Sequence, residues 1–192
     1  SDLDNDGFLD LVVPNRQSDD ISVLFGAGIG DFSATSSGRI VLGADPGHLS
    51  AGDLDGDGVN DIAVLLRSRS AVLILRGLGN GSFSSIGDQV ETGEAPTAIS
   101  LGDLDSDGKL DIVVTNERSD DISILIGAGN GSFTTAANSP ILVGNIPISV
   151  SLGDIDGDSA LDIAVVNRGS RDVSILLGDG GGSFTEAIGS PF

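Results

Sequence analysis

The 192-residue sequence contains no cysteine, methionine, tryptophan or tyrosine, and a single histidine. Without cysteine there is no disulfide framework, no thiolate nucleophile and no thiolate metal site. Seven phenylalanines are the only aromatics, too few for the stacking platforms of many sugar-binding sites. Positive charge is scarce as well: nine Lys and Arg face 29 Asp and Glu, for a formal charge of −20. Nucleic acid and anionic membrane would be repelled by such a surface, and cations are its natural complement. No apolar run approaches the roughly 20 residues of a membrane span. The chain opens on SDLDNDG with neither an initiating Met nor a signal peptide, and is expected to belong to something longer.

What is present is apolar and periodic. Apolar residues make up 39% and mean hydropathy is positive, so the charge does not signal disorder. An aspartate cluster recurs as DLDNDGFLD from Asp2, DLDGDGVND from Asp53, DLDSDGKLD from Asp103 and DIDGDSALD from Asp154, at steps of 51, 50 and 51 residues. Phe32, Phe83, Phe133 and Phe184 keep the same beat, each 30 residues after the first Asp of its cluster. Two landmarks in fixed phase over four copies define a repeat protein, with units near 1–47, 48–96, 97–146 and 147–192.

Each unit reads as strands. After the cluster come LDLVVP, NDIAVLL, LDIVVTN and LDIAVVN, then ISVLFG, AVLILRG, ISILIG and VSILLG, with polar turns such as NRQSDD between them. Glycine-rich turns, of which GNGSF is typical, lead into a strand begun by Phe, and Asn80-Gly81 and Asn130-Gly131 suit tight hairpins. A segment after Pro46, Pro96 or Pro147 runs into the next cluster. The expected fold is all-β: a β-propeller of four-stranded antiparallel blades, four in this chain, the first lacking its innermost strand. A β-solenoid is the alternative, but its rungs usually repeat at shorter intervals. Nearly continuous apolar central strands fit blades covered on both faces.

Counted from its first Asp, each cluster places carboxylates at positions 1, 3, 5 and 9, with Gly at 6 in three copies. Alternate carboxylates on a curled loop converge, and the carbonyl at 7 can add an oxygen. Hard oxygen donors without His or Cys select calcium or magnesium, and a flexible loop offering five or more favours calcium. An EF-hand needs Glu at position 12; here Val13, Val64, Val114 and Val165 stand there, inside strands. Sixteen of the 29 acids lie in the loops. Packed within ~4–6 Å, such carboxylates repel by about 1 kcal/mol or more per pair, so the crowding calls for a cation.

The DxDxDGxxD loops, the LDIVV-type strands after them and the GNGSF-type turns together resemble the FG-GAP/VCBS repeats of integrin-α-type propellers, over essentially the whole chain. The resemblance implies a calcium-binding propeller on a cell surface or secreted, with each calcium loop joining the innermost strand of a blade to the second. Carried onto this sequence, the ligands are Asp2, Asp4, Asp6 and Asp10; Asp53, Asp55, Asp57 and Asp61; Asp103, Asp105, Asp107 and Asp111; Asp154, Asp156, Asp158 and Asp162. The carbonyls of Phe8, Val59, Lys109 and Ala160 complete them, for up to four calcium ions. Ser159 departs from the loop glycine, where a positive φ would cost roughly 1 kcal/mol or more.

Catalysis finds little support in the sequence. His48 occurs in one copy only, Asp19/Asp20 and Asp120/Asp121 repeat in equivalent turns, and no serine has a nucleophile-elbow context. The glycine-rich turns lack the Lys and helix of a phosphate loop. The expected function is an extracellular binding or adhesion scaffold, not an enzyme, with calcium structural and a protein or glycan partner. The alternative is a non-catalytic or carbohydrate-binding module of a secreted polysaccharide-active enzyme. With no innermost strand before the first loop, the ring is expected to be completed by a longer chain or by self-association.

Overall fold

The computed structural model describes residues 1–34, 38–85 and 89–192. Its strands form four antiparallel sheets in chain order. Blade 1 holds β1 (Leu11–Asn15), β2 (Asp20–Gly26), β3 (Phe32–Ser33) and β4 (Arg39–Val41). Blade 2 holds β5 (Pro46–Gly52), β6 (Asp61–Leu66), β7 (Ala71–Gly77), β8 (Phe83–Ser85) and β9 (Val90–Glu91). Blade 3 repeats this with β10 (Pro96–Gly102), β11 (Asp111–Asn116), β12 (Asp121–Gly127), β13 (Phe133–Thr135) and β14 (Ile141–Leu142). Blade 4 holds β15 (Pro147–Gly153), β16 (Asp162–Asn167), β17 (Asp172–Gly178) and β18 (Phe184–Glu186). The only helix among the described residues is a single 3-10 turn, Arg67–Arg69.

All four Phe landmarks open their strands. The outer strand differs from the expectation, because it comes in two short pieces. β13 pairs with the Gly127 end of β12 and β14 with its Asp121 end, since residues 136–140 form a turn between them. In blade 4 the second piece shrinks to a pair of hydrogen bonds between Phe192 and Val173, both 2.9 Å. Blade 1 lacks an innermost strand, as expected, so β1 is an edge. Pro14 lies within β1, where an edge strand tolerates its missing N–H.

Alternation along the central strands assigns each residue to a neighbour. In β6, Ile62 and Val64 pack back onto Ile21, Val23 and Phe25 of blade 1. Ala63 and Leu65 pack forward with Ile112, Val114 and Leu125 of blade 3. Val113, Ile122 and Ile124 continue the pattern onto Ile163, Val165 and Leu176 of blade 4. Three inter-blade cores thus replace a single central one, each fully buried side chain contributing about 1.5–3 kcal/mol. The two outer faces have no such cover: Leu11 and Val13 of blade 1, and Ile148 and Val166 of blade 4, are exposed.

A polar device repeats at the far end of the blades. Asn15 donates from Nδ2 to Asp20 and Ser22, both at 2.8 Å. Asn116 does the same to Asp121 and Ser123 at 2.6 and 2.9 Å, and Asn167 to Asp172 and Ser174 at 2.8 and 2.9 Å. Blade 2 has Leu66, Ala71 and Leu73 instead, an apolar substitute for the whole set. Turn chemistry therefore explains only the first member of each acidic pair: Asp19 and Asp120 take φ of 54° and 55°, while Asp20 and Asp121 are buried acceptors.

Candidate metal centres

Each aspartate cluster forms the loop between two adjacent strands at one end of a blade: β5 to β6, β10 to β11 and β15 to β16, with the first loop running into β1. The loop curls because positions 4 and 6 both take positive φ. Gly56 and Gly58 in the second copy have 78° and 84°. Glycine adopts that conformation without strain. Asn5 and Ser106 fill position 4 elsewhere at 62° and 61°. Ser159 fills position 6 of the fourth loop at 76°, so its side chain sits in the strained left-handed region. Ser159→Gly is expected to stabilise the chelator-treated protein by about 0.5–1 kcal/mol, read from urea denaturation followed by circular dichroism. An unchanged or lower midpoint would show that this serine is not strained.

The loop's own amides fix its carboxylates. Asp53 accepts the Gly56 and Gly58 N–H groups at 2.7 and 2.9 Å, one on each oxygen. Asp55 accepts Asp57 N–H at 3.2 Å, and Asp57 accepts Val59 N–H at 2.9 Å. The same short-range pattern binds Asp2, Asp4 and Asp6 in the first loop and Asp154, Asp156 and Asp158 in the fourth. The third loop keeps it with a shift of one donor, Asp103 accepting Asp107 and Gly108. Phe8, Val59, Lys109 and Ala160, the expected carbonyl donors, turn their amides onto the position-5 carboxylates.

With the carboxylates so fixed, oxygens of three residues lie within 4.8 Å of one another in every loop. The sets are Asp2, Asp4 and Asp6; Asp53, Asp55 and Asp57; Asp103, Asp105 and Asp111; and Asp154, Asp156 and Asp162. Asp10, Asp61, Asp107 and Asp158 stand outside these triads. The donors are all oxygen, without nitrogen or sulfur, which fits a hard divalent cation and not zinc or copper.

Position 9 has a second task that its spacing does not reveal. Asp111 is fully buried and accepts Leu104 N–H at 2.7 Å on one oxygen and Gly127 N–H at 2.8 Å on the other. Asp10, Asp61 and Asp162 make the same two bonds, to Leu3 and Gly26, Leu54 and Gly77, and Ile155 and Gly178. The carboxylate thereby clamps the start of the loop to the end of the third strand. Burial pushes Asp61 and Asp111 above the usual carboxylate range, only partly offset by these bonds.

Two loops carry a built-in countercharge. Arg76 of β7 places Nη2 2.7 Å from Asp57 and Nε 2.7 Å from Asp55. The Nε contact is one of charge, its N–H not being aligned for a hydrogen bond. Lys109 Nζ lies 2.6 Å from Asp107. These partners hold Asp57 and Asp107 below the usual range. The equivalents of Arg76 are Phe25, Ile126 and Leu177, so sequence alone does not announce that the second loop differs.

None of the curated proteins matches the chain. Among solved structures, a protein from Lactobacillus plantarum superposes with a TM-score of 0.74 at 18% identity, over 93% of this chain and 51% of the other. The Pseudomonas aeruginosa periplasmic gluconolactonase PpgL gives 0.72 at 17%, over 96% and 51%. A functionally unknown protein from Desulfotomaculum acetoxidans gives 0.62 at 16%, over 92% and 54%. At these identities the likeness is one of fold, and the chain spans about half the length of each. The FG-GAP-like repeat profile matches residues 2–64, 60–114 and 103–165, spans that take in all four aspartate loops, and the chain belongs to that repeat family.

Proposed function

We propose that this chain is a calcium-stabilised recognition scaffold, displayed outside the cell, in which up to four calcium ions rigidify the loops and take no part in chemistry. The observation that carries this reading is the recurrence of three converging carboxylates in the same loop of all four blades, from positions 1, 3 and 5 in the first two and 1, 3 and 9 in the last two. Catalytic groups are placed uniquely, whereas these repeat with the fold. His48 also supports a non-catalytic role: its Nδ1 accepts Ile99 N–H at 3.3 Å, an inter-blade bond that engages the nitrogen a general base would use.

Calorimetric titration of chelator-treated protein is expected to show two to four calcium ions bound, with a melting temperature that rises in circular dichroism. The absence of both heat and thermal shift at millimolar calcium would refute the reading.

The bare outer faces are part of the same proposal. The position-2 residue of each loop enters the core toward the next blade: Leu54 and Leu104 are each 1% exposed, but Ile155 of the last loop is 53% exposed. Further blades, in a longer chain or a second copy, would cover Ile155, Val166 and the edge at β1. Light scattering on this chain alone is expected to give at least twice the 19.3 kDa monomer mass. A compact monomer at all concentrations would count against closure by a second copy.

A further inference from the structure

At the end of the blades opposite the aspartate loops most of the basic residues gather, among acids such as Asp20, Asp45, Glu94 and Glu117. β6 runs from Asp61, in the loop, to Leu66, so the turn that follows it lies at the other end. Six of the nine basic residues, Arg16, Arg67, Arg69, Arg118, Arg168 and Arg171, lie in these turns between second and third strands. In a chain of net charge −20 that placement is not dictated by solubility, which needs no basic residues gathered at one end.

Three of these arginines share a cleft of about 470 Å³ that bridges blades 1 to 3, with Asp45, Glu94 and Ser68 among its other lining residues. Its volume is within the range of small-molecule sites. Two of the guanidiniums are committed. Arg16 is gripped by Asp45 through two bonds of 2.9 and 3.0 Å. Arg67 donates to the Pro96 carbonyl at 3.1 Å and reaches Glu117 at 3.4 Å. Arg118 forms no ion pair with any of the described residues and is exposed. Its backbone is nonetheless pinned at the rim, its N–H bonding Glu94 carbonyl at 3.1 Å and that of Glu117 bonding Ala95 at 3.0 Å.

We infer that this cleft binds a saccharide carrying a carboxylate, with Arg118 as the residue that takes the acid group. The planar guanidinium fork matches a carboxylate in two parallel bonds. Asp45, Glu94 and Ser68 supply acceptors and a hydroxyl for sugar hydroxyls. One free guanidinium beside two carboxylates admits one acidic group and repels a densely charged polyanion. No aromatic lines the cleft, so recognition rests on polar contacts and not on stacking. The inference builds on the reading of the chain as a recognition scaffold but does not require calcium in the loops.

The test is calorimetry with methyl galacturonoside, which carries one carboxylate, with its methyl ester and with inorganic sulfate, in calcium and in chelator. The acid is expected to bind in both conditions, and the ester and sulfate at least ten-fold more weakly. Arg118→Gln is expected to weaken the acid at least ten-fold and Arg171→Gln to leave it unchanged, both variants melting as the parent does. No binding of the acid, equal binding of the ester or of sulfate, or an indifferent Arg118→Gln overturns the proposal. Because calcium uptake is read separately from saccharide uptake, a protein that takes calcium and ignores the acid sinks this inference alone.

Discussion

Asp111→Ala is expected to destabilise the protein by about 3 kcal/mol even when no calcium is present. The substitution strands two buried donors, Leu104 N–H and Gly127 N–H, which Asp111 accepts at 2.7 and 2.8 Å. Each unsatisfied buried donor costs about 1–3 kcal/mol. Relief of the burial penalty that raises this carboxyl's pKa offsets part of the loss. Asp105→Ala is the comparison, because Asp105 belongs to the same triad but accepts only one amide of its own loop, Asp107 N–H at 3.2 Å. In chelator it is expected to cost under about 1 kcal/mol, yet in calcium it should lose a large part of the stabilisation by the ion. Urea denaturation of both variants, with and without calcium, reads the difference. If the two cost the same in chelator, position 9 is a ligand only and the clamp has no energetic weight.

The second large effect comes from the residue on the other side of that clamp. A Cβ on Gly127 would lie 2.2 Å from the Leu110 carbonyl oxygen and 3.2 Å from the Phe133 ring. The offending atom is backbone, one residue before Asp111, so it yields only if the loop shifts and the clamp opens. Gly127→Ala is therefore expected to cost about 3 kcal/mol, as overpacking of a core does. Gly108→Ala is the control: its φ is 82° but its surroundings are open, so it should pay only the left-handed strain of about 1 kcal/mol. Thermal melts that rank Gly108→Ala as the worse substitution would show that conformation, not close approach, fixes the glycine at the strand end.

These two residues also mark how far the sequence could be read. Strands, loops and their phase were legible because they depend on neighbours in the chain: the continuous apolar run in NDIAVLL, the Asn-Gly turns, aspartates two apart. The triads follow from the same short range, since Asp53 is positioned by amides three and five residues on. The clamp reaches 16 residues, from Asp111 to Gly127, and the arginine at the second loop reaches 19, from Arg76 to Asp57. Nothing in local spacing encodes either, although the invariant phase of Gly26, Gly77, Gly127 and Gly178 could have raised the question. The split outer strand was missed because two- and three-residue strands carry too little pattern to separate.

One bond type ties successive blades at the end that carries the aspartate loops. Gly131 in the hairpin of blade 3 donates to the Leu54 carbonyl of the second loop at 3.0 Å, and Gly182 in blade 4 donates to Leu104 of the third loop at 3.1 Å. A loop's order is thus shared with the hairpin of the following blade. The array behaves as a line of coupled units in which each stability term belongs to a pair of neighbours. Loss of order is then easiest in any unit that has only one neighbour, and every blade added to the line protects the one before it.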